Sequence, residues 1–276
     1  MSKLENNSLL QNIGLPKYSD FKVEEVEPAI TYLTDKLEKD FELLEKRMDA
    51  ENESYRLYNA AIEEVEKIQY PLDYAWGIIR HLHSVKNNDD LRDVYSKIQP
   101  VIIKSSNRIS QSKILYNSLL RLKEMGNMSD VRKRIIDASV HGMALNGIGL
   151  ERDDKQKFNE LVVELSKQST QFSNNVLDST KEFSLYIEDS AGMNNLPESA
   201  LELFSMNAKD KHPNSTPDKG PWKVTLDAPS FVPFLQYHPS SELRKKVYLA
   251  YISRASSGEK NNIPIIDDYI IHVKGF

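Results

Sequence analysis

Six histidines come nearest to metal chemistry in this 276-residue chain, and their neighbours decide what they can do. A zinc-hydrolase helix carries His at i and i+4 on one face, with Glu directly after the first His to activate the metal-bound water. The residues after His81, His83, His141, His212, His238 and His272 are Leu82, Ser84, Gly142, Pro213, Pro239 and Val273. Four positions on stand Val85, Asn87, Leu145, Thr216, Glu242 and Phe276, so neither a His-Glu pair nor a His-x-x-x-His pair exists. His81 and His83 are two apart and diverge on a helix, which points to packing or solvation rather than to metal binding.

Other chemistry is thinly supplied. Glu24-Glu25, Asp89-Asp90, Asp153-Asp154 and Asp267-Asp268 could act as acid and base only across a pocket, and adjacent acids are ordinary at helix starts and on solvated faces. There is no cysteine, hence no thiol nucleophile, thiolate metal site or disulfide, which fits a reducing compartment. Ser166, Ser169, Ser173 and Ser179 have no histidine near them in sequence and read as small packing residues or solvated hydroxyls. No Gly-x-Ser-x-Gly elbow or phosphate-cradling glycine loop is present. One segment stands apart: Arg244, Tyr248, Tyr251 and Arg254 bring rings and guanidinium groups to one region of a helix. Such a set can line a peptide groove, where Tyr offers an apolar ring with a polar tip and Arg clamps a carboxylate; packing and surface ion pairing are the competing roles.

The elements that must position these residues are helices. After a lead-in ending at Leu15-Pro16-Lys17-Tyr18, Ile30, Leu33, Leu37, Phe41, Leu44 and Met48 step by three and four, with Pro28 at a first turn. A second helix is expected from Ser54 through Tyr58, Ile62, Val65 and Ile68, stopping at Pro71, and a third over 72–85. Asn87-Asn88-Asp89-Asp90 reads as a turn and cap before a helix through Leu91, Val94, Tyr95, Ile98, Val101 and Ile102, with a kink at Pro100; shorter helices follow over 113–125 and 130–146. The run 151–183 carries Phe158, Val162, Leu165, Phe172, Val176 and Phe183 at helical spacing and predicts a helix of about 50 Å, read as a central spine. The period then changes to two at Phe183, Leu185 and Ile187 and again at Trp222, Val224 and Leu226, which predicts a two-stranded ribbon. Between these strands lie a short helix over 198–206 and a polar stretch over 209–220 read as a mobile excursion. Ser240-Ser241-Glu242 caps a helix through Ala255, and an apolar segment, 263–273, follows. The fold class is mainly α with a small two-stranded β element.

With 39% hydrophobic residues the chain can bury a real core, and a net charge of −5 with no basic stripe argues against nucleic acid. No apolar run approaches a membrane span, and neither a secretory signal nor a transit peptide is visible, so a cytoplasmic protein is expected.

Together the blocks form a resemblance. Ser173-Asn174-Asn175-Val176-Leu177-Asp178, preceded by Phe172 and by Ile148-Gly149-Leu150, resembles the long-helix signature in the N-terminal half of the oligopeptidase A and thimet oligopeptidase family of zinc metallopeptidases. Asn7-Ser8-Leu9-Leu10, Leu15-Pro16 and Val26-Glu27-Pro28-Ala29 resemble its opening, with Ser8 in place of the usual proline. His81-Leu82-His83-Ser84-Val85-Lys86-Asn87 resembles its early helical block, and Leu226-Asp227-Ala228-Pro229-Ser230 and Leu243-Arg244 through Tyr248, Ala250, Tyr251, Arg254 and Ala255 its later ones. The oligopeptidase A branch is nearest.

The resemblance implies one helical wall of a deep channel that admits short, unfolded peptides. It divides the chain into a lead-in at 1–20, a substrate-channel domain at 21–255 and the start of a link to a catalytic half at 256–276. In the family the zinc ligands and general base follow the region seen here. The expectations are therefore no catalytic residue and no metal or cofactor held by this chain, zinc being the cofactor of complete members, and inactivity alone. The chain would be a truncated product, gene fragment or alternative transcript. Its expected partners are short peptides and either a catalytic half or an intact relative, with no nucleic acid and no membrane. A non-catalytic helical peptide-binding or interaction module is the alternative, and uncovered apolar surface around 265–271 is expected to drive self-association.

Overall fold

The stripe from Ile30 to Met48 is sequestered as its spacing predicts. In a computed structural model, which describes residues 4, 6–12, 14–86, 88–126 and 128–274, Ala29, Ile30, Leu33, Leu37, Phe41, Leu44 and Met48 form the buried face of α1, Val26–Ala50. Asn87 of the cap cluster, the first three residues of the lead-in and Phe276 lie outside the described residues. The chain divides into two units, Met1–Val163 and Glu164–Phe276.

In the first unit α1 packs on the helices over 65–85, 89–110 and 113–125. Helix α2, Ser54–Tyr58, passes through a π-helical turn, Asn59–Glu64, into α3, Val65–Val85. The break expected at Pro71 does not occur. Proline removes one helical hydrogen bond, but burial of Leu57, Ala60, Ala61 and Val65 before it and of Leu72, Ala75, Ile78 and Ile79 after it holds the rod together. Helix α4, Asp89–Ser110, likewise runs through Pro100, and is capped by the Asn88 side chain, whose Oδ1 accepts from the Leu91 N–H at 2.9 Å. Helices α5, Lys113–Met125, and α6, Asp130–Leu145, follow. The end of α6 needs glycine. Gly147 sits at φ +77° while its N–H donates to the Ala144 carbonyl and that of Ile148 to the Met143 carbonyl, the two reversed bonds that close a left-handed helix terminus. A Cβ at Gly147 would also press on Leu150 and Phe158.

The histidine that sequence left to packing is packed. His83 is 8% exposed and stacks on Tyr95 at 4.1 Å, and Trp76 stacks on the same ring at 4.8 Å. Its Nε2 is buried without a hydrogen-bond partner, and burial together with the positive charge of Arg92 pushes its pKa down. The neutral ring is thus the folded form. The unfolded chain takes up the proton near the usual histidine pKa of about 6.5, so the stabilisation His83 gives above that pH is lost as pH falls toward its lower folded value. Stability, read from equilibrium unfolding at Trp76 in a Trp222→Phe background, is expected to weaken as pH falls below about 6.5. His83→Phe should flatten that dependence, and an unchanged slope would refute the assignment.

The second unit is built round the expected ribbon. Strands β1, Leu185–Ile187, and β2, Trp222–Val224, pair antiparallel with Leu185 opposite Val224 and Ile187 opposite Trp222. They pack with α8, Glu198–Ala208, α9, Ala228–Tyr237, and α10, Ser241–Ile252, around Phe204, Trp222, Val224, Phe234 and Val247. The stretch over 209–220 is not a free excursion. Ser215 Oγ donates to the Pro221 carbonyl at 2.7 Å, Trp222 Nε1 donates to the Pro217 carbonyl at 3.0 Å, and Thr216 bridges to Gly220. The buried indole needs an acceptor, and the loop supplies it. Helix α11, Ile263–Lys274, ends the described chain.

Helix α7, Arg152–Glu182, forms as predicted, and the division between the two units falls within it. Its burial is the reverse of a core spine. Phe158, Val162, Leu165 and Val176 are only half-buried and Phe172 is exposed, whereas the two buried residues are the polar Asn175 and Thr180. The reason is the neighbour: the loop between α10 and α11 lies on this helix and presents polar groups that must be met.

Candidate functional site

Helix α10 carries three of the four candidate side chains, Arg244, Tyr248 and Tyr251; the helix expected to run through Ala255 ends at Ile252, and Arg254 stands in the turn that follows. Ser240 Oγ caps it by accepting from the Leu243 N–H at 3.3 Å, and Val247, fully buried, fixes its roll. Positions 244, 248 and 251 are spaced i, i+4, i+7 and so share a face.

Tyr251 and Arg254 are brought together. The Arg254 guanidinium lies 3.7 Å from the Tyr251 ring centroid, and the same ring stacks on Phe231 at 4.1 Å with an interplanar angle of 20°. Arg254 is held there by bonds from Nε to the Tyr251 carbonyl, 2.9 Å, and from Nη1 to Thr180 Oγ, 3.0 Å. Tyr248 is exposed on the same helix. Arg244 is committed elsewhere: its Nη1 donates to the carbonyls of His238 and Pro239, tying the turn that precedes α10.

That turn contains a residue whose packing sequence reasoning missed. His238 is 2% exposed, stacks on Phe234 at 4.6 Å, and accepts the Ser240 N–H at Nδ1, which leaves its proton on Nε2. Burial and the charge of Arg244 lower its pKa. The available signal was His-Pro-Ser directly before a helix, the local order of a turn and a cap. Phe231 was missed as well, because its partner lies a helix away.

A second polar cluster also went unread. Tyr186 on β1 donates to both oxygens of Asp210 at 2.9 and 3.0 Å, and Lys223 on β2 pairs with the same carboxylate. The hydrogen bond from Lys223 holds the Asp210 carboxyl below its usual range. Lys223 stands opposite Tyr186 in the ribbon, so strand register builds this pair.

The α10 cluster offers aromatic faces and guanidinium donors, which suit an anionic or carboxylate-bearing segment with apolar side chains. Among the described residues, no three His, Asp or Glu side chains are placed to hold a metal ion.

Fold and cluster together define a mainly α chain with a small ribbon and an aromatic-guanidinium surface. The family model described as Neurolysin/Thimet oligopeptidase, N-terminal domain, matches residues 30–155, inside the first unit. The probable cytosolic oligopeptidase A of Arabidopsis thaliana is 40% identical over 97% of this chain and 38% of its own length. The organellar oligopeptidase A of the same plant is 38% identical over 97% of this chain and 34% of its own. The oligopeptidase A of Haemophilus influenzae is 33% identical over 96% of this chain and 38% of its own. The chain belongs to the oligopeptidase A and thimet oligopeptidase family, and it spans little more than a third of the length of these relatives, matching their N-terminal portion.

Proposed function

We propose that this chain forms the substrate-channel portion of an oligopeptidase A-like zinc metalloendopeptidase, and that alone it binds short peptides without hydrolysing them. The observation that carries the reading is the extent of the match: 271 residues at 40% identity run through both units while covering 38% of a relative named oligopeptidase A. In this reading 1–20 is a lead-in, 21–255 forms the channel wall, and 256–276 begins the link to a catalytic portion that supplies zinc, its ligands and the general base. The absence of any His-Glu pair supports placing that chemistry elsewhere.

The exposed ring of Tyr248 covers apolar side chains of the peptide, and Tyr251, sandwiched between Phe231 and Arg254, holds that guanidinium in place. Arg244 and Arg254 provide positive charge for its carboxylates, each guanidinium having five donors, more than the contacts above consume. The cytoplasm is the proposed compartment, in keeping with the cytosolic plant relative. Peptides and a catalytic portion or intact relative are the proposed partners. Net charge of −5 disfavours nucleic acid, and no helix among the described residues is long and apolar enough to cross a membrane.

A non-catalytic peptide-binding module is the second reading, favoured by the Phe231-Tyr251-Arg254 stack being complete within this chain. Calorimetric titration of the purified chain with a varied set of short peptides is expected to give saturable binding. Flat titrations across the set would remove the α10 cluster from both readings.

A further inference from the structure

The signature run Phe172 to Asp178 is the part of the chain least explained by a channel surface, because its central asparagine faces protein rather than solvent. Asn175 is 6% exposed and Asn262, at the start of α11, is 4% exposed. Asn175 Nδ2 donates to Asn262 Oδ1 at 2.8 Å, and Asn262 Nδ2 donates to the Phe172 carbonyl at 3.1 Å. Asn175 Oδ1 accepts from Gln171 Nε2 at 2.8 Å. Each amide thus acts as donor and acceptor at once, which neither Asp nor an apolar residue can do.

The backbone of Asn262 is engaged too. Its N–H donates to the Ala255 carbonyl at 2.8 Å and its carbonyl accepts from Ile266, the first bond of α11. At the other end of the loop, the Ala255 N–H donates to Ser179 Oγ at 3.1 Å, with Ala255 in the left-handed region at φ +50°, and Arg254 reaches Thr180. Lys260 pairs with Glu182 between them. Residues 254–262 are therefore fastened to α7 at both ends by polar groups. Beyond this fastening α11 and α7 leave a groove of about 240 Å³ lined by Gln168, Ser169, Phe172, Ile265, Tyr269 and Ile270. Ile263, Ile266, Ile270 and Val273 on α11 stay about half exposed.

We infer that Asn175 and Asn262 are positioning residues: a latch that fixes the start and direction of α11 on α7. A helix with little of its apolar surface buried has low local stability, so its order depends on the few bonds at its root. Because those bonds are buried, losing one partner leaves the other amide unsatisfied, and the two residues act as a unit. The inference does not rest on peptide binding.

Hydrogen exchange by mass spectrometry on the full chain tests it. Asn175→Leu and Asn262→Ala are each expected to speed exchange of the α11 amides at least tenfold, with α8 and α9 unchanged and the double variant no faster than the quicker single one. Ser173→Ala, in the same signature but exposed and bonded only to the Ser169 carbonyl, should leave α11 unchanged. If Asn175→Leu does not fold, Asn262→Ala decides alone. Unaltered α11 exchange in a folded variant, an α11 already unprotected in the parent, or a uniform rise across the second unit would each overturn the latch.

Discussion

Replacing Trp222 with alanine lowers the stability of the second unit by about 4 kcal/mol, within the range expected for losing a buried large aromatic side chain. The indole is 1% exposed at the centre of a cluster with Phe204, Val224, Phe234 and Val247. It also organises the connection before it: Nε1 bonds the Pro217 carbonyl, and Gly220, at φ +62°, would bring a Cβ to 2.5 Å from the ring. Removing the ring opens a cavity and strips the loop of its donor together. The buried residues of the first unit form a separate cluster, so its unfolding, followed by the emission of Trp76, should keep the parent midpoint. A loss below about 1 kcal/mol would show that the cavity collapses and that Trp222 does not centre this core.

Tyr251→Ala weakens peptide binding at least tenfold, the larger of the effects expected at the proposed site. The ring carries two interactions, an aromatic stack with Phe231 and a cation-π contact with Arg254. Both are contacts within the chain that hold the Arg254 guanidinium in place, so removing the ring frees a group that meets the peptide, and losing about 1.4 kcal/mol of binding through that loss of preorganisation is tenfold in affinity. Tyr251→Phe keeps the ring and should keep most of the affinity. Tyr248→Ala, which removes one exposed ring, should cost less. Calorimetry at a temperature where the parent and each variant are fully folded separates these outcomes, and equal affinity for parent and Tyr251→Ala would exclude the stack from binding.

How much of this was legible depended on whether a residue's partners were close in sequence. The stripe from Ile30 to Met48 and the caps at Asn88 and Ser240 follow from spacing and local chemistry, and the structure has them where the pattern places them. Leu185, Ile187, Trp222 and Val224 announced a ribbon through their period of two. Pro71 misled because a local rule, one missing donor, was outweighed by apolar burial on both sides of it. The 151–183 run misled in the opposite sense: its period is helical, but period does not say which face meets a polar loop, and Asn175 and Thr180 are buried by contacts 74 to 87 residues away. Long-range pairing also hid Phe231 behind Tyr251 and Asp210 between Tyr186 and Lys223. Of the four candidates on and just after α10, Tyr251 and Arg254 stand together, Tyr248 is exposed beside them, and Arg244 anchors a turn.

The most direct test of the central claim is a cleavage assay with the purified 276-residue chain, a short internally quenched peptide and added zinc, run with and without a chelator. The account predicts no chelator-sensitive rise in fluorescence above the blank, although the same peptide binds. Zinc-dependent turnover abolished by the chelator, in protein that retains one zinc ion per chain, would contradict it.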